Sequence, residues 1–178
     1  MNALIVYESM FGNTRQIAEA IAEALQAAGT TVTVTTAANA PVELSGLDLV
    51  VIGSPTHAHT LPQPSSRKDA AAWADDEKKQ LHLEPGAQDP GVREWLERVP
   101  VAEVNARFAA FSTRADFPLI FAGDAAAAIK RRLRKRGVHV DAHENFLVDF
   151  DSRLLPDEQQ RARDWAVATL LPVTASQS

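Results

Sequence analysis

Residues 3–25 read ALIVYESMFGNTRQIAEAIAEAL, and the fold class follows from how this stretch divides. Residues 3–7 form a continuous apolar run of strand length, the pattern of a strand covered on both faces in a parallel sheet. Behind them Ile17, Ile21, Leu25 and Ala28 recur at the spacing of one helix face, and Gly29 supplies a stop signal. Between strand and helix lies ESMFGNT, residues 8–14. The N–H groups that open such a helix have no intrahelical partner, and together with the helix dipole they favour an anion. Ser9, Asn13 and Thr14 add short polar side chains at that point, and Gly12 lets the backbone approach a ligand closely. No lysine completes a Walker A loop and no G-x-G-x-x-G is present, so a monophosphate fits better than a triphosphate with magnesium. The alternative is that Asn13 or Thr14 only caps the helix.

The same alternation continues along the chain. Strands are expected at residues 30–36, 47–53 (LDLVVIG), 107–113 (RFAAFST) and 138–149, the last bent or interrupted where DAHEN separates VHV from FLV. One helix is expected within residues 66–83, inside an otherwise irregular excursion that starts at Ser54. A second opens with Asp89 as cap and Pro90 as first residue, and buries Val92, Trp95, Leu96 and Val99. A third is capped by Asp124, turns Ala126, Ile129 and Leu133 inward and stops at Gly137. The last starts near Pro156, with Asp157 and Glu158 in its first turn, and places Ala162, Trp165, Ala166 and Thr169 on one face. Strands alternating with helices predict an open, doubly wound α/β sheet in one domain over residues 1–172, with 173–178 as a mobile tail. Ligands of such folds bind beyond the carboxyl ends of the strands at the switch point, so the loops after strands one, three and four are the candidates.

Composition narrows the partners. The 178-residue chain is 46% hydrophobic and 23% charged, enough for a sizeable core, and its formal charge of −5 argues against a nucleic-acid partner. Six basic residues in KRRLRKR (130–136) read as a solvated helix end whose cations complement the dipole. The absence of cysteine excludes disulfides, thiolate metal sites and cysteine nucleophiles. With no signal-like start and no apolar run of membrane-spanning length, a cytoplasmic protein without a membrane partner is expected.

VYESMFGNTRQIAEAIAEAL (6–25) resembles the opening of flavodoxin-like proteins, matching their first-loop pattern at Ser9, Gly12 and Thr14, with Asn13 a residue type that family also uses. The resemblance extends in element order over nearly the whole chain. It implies a doubly wound parallel five-stranded sheet of order 2-1-3-4-5, in three α/β/α layers, with flavin mononucleotide (FMN) at the switch point. By the same resemblance Ser9, Met10, Phe11, Gly12, Asn13 and Thr14 form the cofactor loop after strand one. GSPTHAHTLP (53–62) implies ring contacts from Pro55, Thr56, His57 and Ala58, with His57 at the aromatic position. FSTRADFP (111–118) implies Ser112, Thr113 and Arg114 under the polar edge of the ring, with Asp116 or Phe117 beyond.

That last loop departs from the family, which uses a Gly-rich acidic loop with a stacking tyrosine. Phe117 either substitutes for the tyrosine or turns into the core. Arg114 either lies by the pyrimidine end of the flavin, where a guanidinium favours two-electron chemistry, or pairs with Asp116. His57 and His59 lack the companion ligands of a metal site, and His59 reads as a solvated loop residue. Residues 62–88 exceed what a compact flavodoxin needs; they form a lid, a substrate wall or a subunit contact. Within them Trp73 is an aromatic platform or an anchor of the insertion, and Arg67 and Lys68 either approach the phosphate or are ordinary surface cations.

No catalytic side chain and no metal ligand stand out, which agrees with a cofactor that carries the chemistry. The expected function is FMN-based electron transfer or a flavin-dependent oxidoreductase, with NAD(P)H or a redox partner protein as donor and a quinone-like or protein acceptor. The alternative is a flavodoxin-like binding or interaction module that has lost FMN redox function.

Overall fold

The computed structural model of the chain describes residues 1–76 and 80–172, with Leu119 described through its backbone. The expected tail at 173–178 and part of the helix expected within 66–83 therefore lie outside the described residues. Five strands, β1 (Asn2–Tyr7), β2 (Thr31–Thr36), β3 (Leu49–Pro55), β4 (Arg107–Ala115) and β5 (Ala142–Val148), make one sheet of order β2-β1-β3-β4-β5. Every neighbouring pair is parallel. Tyr7 pairs with Gly53 and Pro55 with Thr113, so the loops after β1, β3 and β4 leave the same sheet edge side by side.

The helices are α1 (Asn13–Ala27), α2 (Pro64–Ala74), α3 (Val92–Arg98), the short α4 (Leu119–Ala122), α5 (Ala125–Lys135) and α6 (Glu158–Trp165), which continues as a π-helical stretch over Ala166–Leu170. Side chains alternate across each strand, and the two faces bury different helices. Ile5, Val51 and Phe111 pack with Ile17, Ile21, Ala162 and Leu170 of α1, α6 and its continuation. Leu4, Val6, Val50, Ile52 and Phe108 pack with Trp95 and Leu96 of α3 and Ile129 and Leu133 of α5. The result is three layers with a core on each face of the sheet.

Three local expectations need correction. β5 begins at Ala142 and keeps the polar His143, Glu144 and Asn145 inside the strand, which an edge strand tolerates. Val138, expected in that strand, instead donates its N–H to the Leu133 carbonyl and closes the exit of α5. α3 starts at Val92 rather than Pro90, because the Asp89 N–H is held by the Gly86 carbonyl in a turn. Its first N–H groups find carboxylates instead: Gly91 donates to Glu94 Oε2 at 2.9 Å, and Val92 to Glu8 Oε2 at 3.0 Å. α2 ends at Ala74, short of the expected stretch, and Leu83 beyond it packs with Met10, Ala70 and Ala87 in a small satellite core.

The basic run 130–136 closes α5. Leu133 is buried, and Arg136 donates to the carbonyls of Leu96 and Val99 at the end of α3.

Candidate functional site

The sequence leaves β1 through Glu8 and Ser9 and enters α1 at Asn13 without a side-chain cap. Gly12 precedes the helix with φ of 89°, a left-handed conformation that a side chain disfavours, and its N–H donates to Ser9 Oγ at 3.1 Å. The first-turn N–H groups of α1 lack intrahelical acceptors, and its first two residues, Asn13 and Thr14, line a cavity of about 450 Å3. That volume lies within the range of small-molecule and cofactor sites, roughly 300–1,000 Å3.

Loops from four strands line the cavity. The first loop contributes Ser9, Met10, Phe11, Asn13 and Thr14; the end of β3 and the loop after it contribute Pro55, Thr56, His57 and Ala58; β4 contributes Thr113, Arg114 and Ala115. The cavity thus brings together eleven of the fifteen residues expected to hold the cofactor. Thr14 and Thr113 are both buried, and their hydroxyls share a hydrogen bond of 2.8 Å at the cavity wall. Gly12, Ser112, Asp116 and Phe117 are not among the lining residues. Ser112 is fully buried with its hydroxyl on Asn145 Oδ1, and the exposed Asp116 and Phe117 lie further along the same loop.

The loop after β5 was not foreseen as a wall, whereas α2 lies in the excursion for which a lid, a substrate wall or a subunit contact was expected. Val148 at the end of β5 and Asp149, Phe150 and Ser152 after it line the cavity, as do Ser66, Asp69, Ala70 and Trp73 of α2. Trp73 is 51% exposed at the cavity, which favours the platform over the anchor. Arg67, by contrast, neither approaches the cavity nor reaches solvent. It is 2% exposed and donates to Glu8 Oε1 at 2.7 Å and to both Glu94 oxygens, at 3.2 and 2.7 Å. Gly91 is needed beside this cluster, because a Cβ there would fall 2.1 Å from Glu8 Oε2. The outer side of the first loop is held by Glu84, whose N–H donates to the Met10 carbonyl and whose carboxylate binds Arg15, each at 2.8 Å. The first loop is thereby clamped between the sheet and the excursion.

Charge inside the cavity is sparse. Arg114 curls back, its Nη1 donating to the carbonyls of Ala115 and Phe117 at 3.1 and 2.7 Å rather than pairing with Asp116. Its Nε is buried with no hydrogen-bond partner. Such an orphaned donor costs free energy unless something accepts from it. Among the described residues no group of three or more His, Cys, Asp or Glu could hold a metal ion, and no helix is long and apolar enough to cross a membrane.

His57, whose Nδ1 lies 3.3 Å from Ser66 Oγ, has its pKa pulled down from 6.5 to about 4 by burial and by the nearby Arg67 charge. It is therefore a neutral ring at neutral pH. Between about 4 and 6.5 the unfolded chain binds the proton that folded His57 refuses, so stability falls as pH drops through that window. Replacing His57 by Phe is expected to flatten that part of the stability curve, as measured by urea unfolding at several pH values. The His57 imidazole resonances of the native protein should titrate near pH 4.

The first part of the chain, residues 4–67, matches the model of the flavodoxin domain. Solved flavodoxins superimpose on nearly the whole length. A flavodoxin from the domain Archaea is 18% identical with a TM-score of 0.61, over 94% of this chain and 95% of that one. Oxidised Flavodoxin 2 from Bacillus cereus is 22% identical with a TM-score of 0.61, over 94% and 97% of the two chains. The chain has a flavodoxin-like fold. Two-electron reduced Megasphaera elsdenii flavodoxin is 19% identical to this flavodoxin-like chain, with a TM-score of 0.60 over 94% of it and 99% of the relative. No curated protein sequence matches the chain. The strand order expected from the resemblance is the one found. In this flavodoxin-like fold the cavity stands above β1, β3, β4 and β5, where the switch-point rule puts ligands.

Proposed function

We propose that the chain binds FMN noncovalently in this cavity and works in electron transfer or as a flavin-dependent oxidoreductase. The observation that carries the reading is the uncapped N-terminus of α1 opening onto a cofactor-sized cavity beside the buried hydroxyls of Thr14 and Thr113. Backbone N–H groups, hydroxyls and the helix dipole together suit a phosphate dianion and need no lysine.

Residues 9–14 would hold the phosphate, and Pro55, Thr56, His57 and Ala58 would border the ring system with Thr113 and Arg114 beneath it. Bound there, FMN supplies one- and two-electron redox chemistry. The residues of the chain bind it, orient it and exclude water. The Arg114 guanidinium is the one cation among the described lining residues, set against the carboxylates of Asp69 and Asp149 on other walls, and beneath the ring it would favour added negative charge there. NAD(P)H or a redox partner protein is the proposed donor, and a quinone-like molecule or a protein the proposed acceptor.

The test is direct. The purified protein, or the apoprotein after addition of one equivalent of FMN, is expected to show the shifted visible bands of a bound flavin that co-elutes in gel filtration. Free passage of FMN past the protein would overturn the reading.

A further inference from the structure

We propose that Phe150, on the loop after β5, is the aromatic side chain that packs on the outer face of the bound isoalloxazine, with Phe117 as its brace. The inference rests on the FMN reading above and assigns a position that the β4 loop leaves open.

The sheet order puts β4 between β3 and β5, so loops from β3 and β5 flank the cavity floor formed by the end of β4. His57 stands on the β3 side and Phe150 on the β5 side of the same cavity. Phe117, the candidate on the β4 loop, does not line the cavity. Its ring instead meets that of Phe150 edge-on, with centroids 4.9 Å apart and planes at 90°. Phe150 is 79% exposed, a large apolar ring left to water unless something covers it.

The loop that carries Phe150 is already fixed in shape. Asp149 Oδ1 accepts from the N–H groups of Asp151 and Arg153, both at 2.9 Å, and the Asp149 N–H donates to the Arg153 carbonyl at 2.8 Å. Asn13 Nδ2 donates to the Ser152 carbonyl at 2.6 Å and ties the loop to the opening of α1. A ring held in this way loses little freedom when a flat ligand slides against it, which is what makes a stacking contact favourable.

The experiment compares dissociation constants for FMN and for riboflavin, and the quenching of flavin fluorescence, in the native protein and in Phe150→Ala, Phe150→Trp and Phe121→Ala. Because Phe150 touches the ring system and not the phosphate, Phe150→Ala is expected to weaken both ligands by the same factor, about three- to tenfold, with partial recovery of fluorescence. Phe150→Trp restores both. Phe121 is exposed but outside the cavity, so Phe121→Ala leaves both unchanged. Native protein that binds FMN tightly, with Phe150→Ala indistinguishable from it in affinity and quenching, overturns this assignment alone. Native protein that binds neither flavin overturns the FMN reading and this assignment with it.

Discussion

Arg67→Met is expected to destabilise the protein by about 3–5 kcal/mol at neutral pH, the usual cost of removing one partner from a buried ion cluster. Glu8 is 6% exposed, and the Arg67 guanidinium and the Val92 N–H favour its charged form. Burial already pushes its pKa up, and the nearby Glu94 charge adds to the rise. Without Arg67 both effects act unopposed except by one N–H. A carboxyl whose folded pKa lies above its unfolded value contributes stability while protonated and loses it as pH rises. Glu94 behaves oppositely in the native protein: Arg67 helps hold its pKa below the usual range, so its contribution is present above that range and is lost on acidification. Both effects make the deficit of the variant larger at neutral pH than in acid. Urea unfolding of the native protein and Arg67→Met at pH 7.5 and pH 4.5 measures it. A deficit below about 1 kcal/mol at pH 7.5 would mean that the cluster does not hold the excursion to the sheet.

Thr14→Val is the second change with a large expected effect, on ligand affinity rather than on the fold. The substitution keeps the shape of a buried side chain in the cavity wall and removes the hydroxyl that bonds Thr113. A hydrogen bond to a charged group contributes about 1.5–3 kcal/mol, so FMN affinity should fall roughly ten- to a hundredfold. Riboflavin, which has no phosphate, should bind the variant and the native protein alike. Equal FMN affinities would remove Thr14 from the site. The Thr113 hydroxyl left unpaired also costs stability, about 1–3 kcal/mol, so affinities are compared well below the unfolding temperature.

The sheet was legible because its signal is periodic and local. Short apolar runs at residues 3–7 and 47–53, bounded by polar and turn residues, have the length of strands with two covered faces, and the stripe Ile17, Ile21, Leu25 dictates which side of α1 meets them. The first loop was legible for a different reason: a short polar stretch between a buried strand and a helix limits what its backbone donors can do.

What escaped depends on contacts between residues far apart in the chain. Arg67 looks like any basic residue at the start of a helix, and only the fold sets it against Glu8, fifty-nine positions away. The start of α3 moved for the same reason, since its cap comes partly from Glu8. Phe150 followed a strand whose polar content blurred its boundaries, and nothing local marks it as a wall of the cavity. Phe117 could be read as a core or a site residue, and the structure shows it exposed at the edge of another ring.

The central claim is that the opening of α1 grips a phosphate dianion, and phosphorus NMR of FMN in the protein tests it most directly. Free phosphate monoesters take up their second proton near pH 6. Seated against N–H groups and hydroxyls, the bound phosphate is predicted to give one resonance that stays constant from about pH 5.5 to 8. A resonance that titrates near pH 6, as in free FMN, would contradict the account.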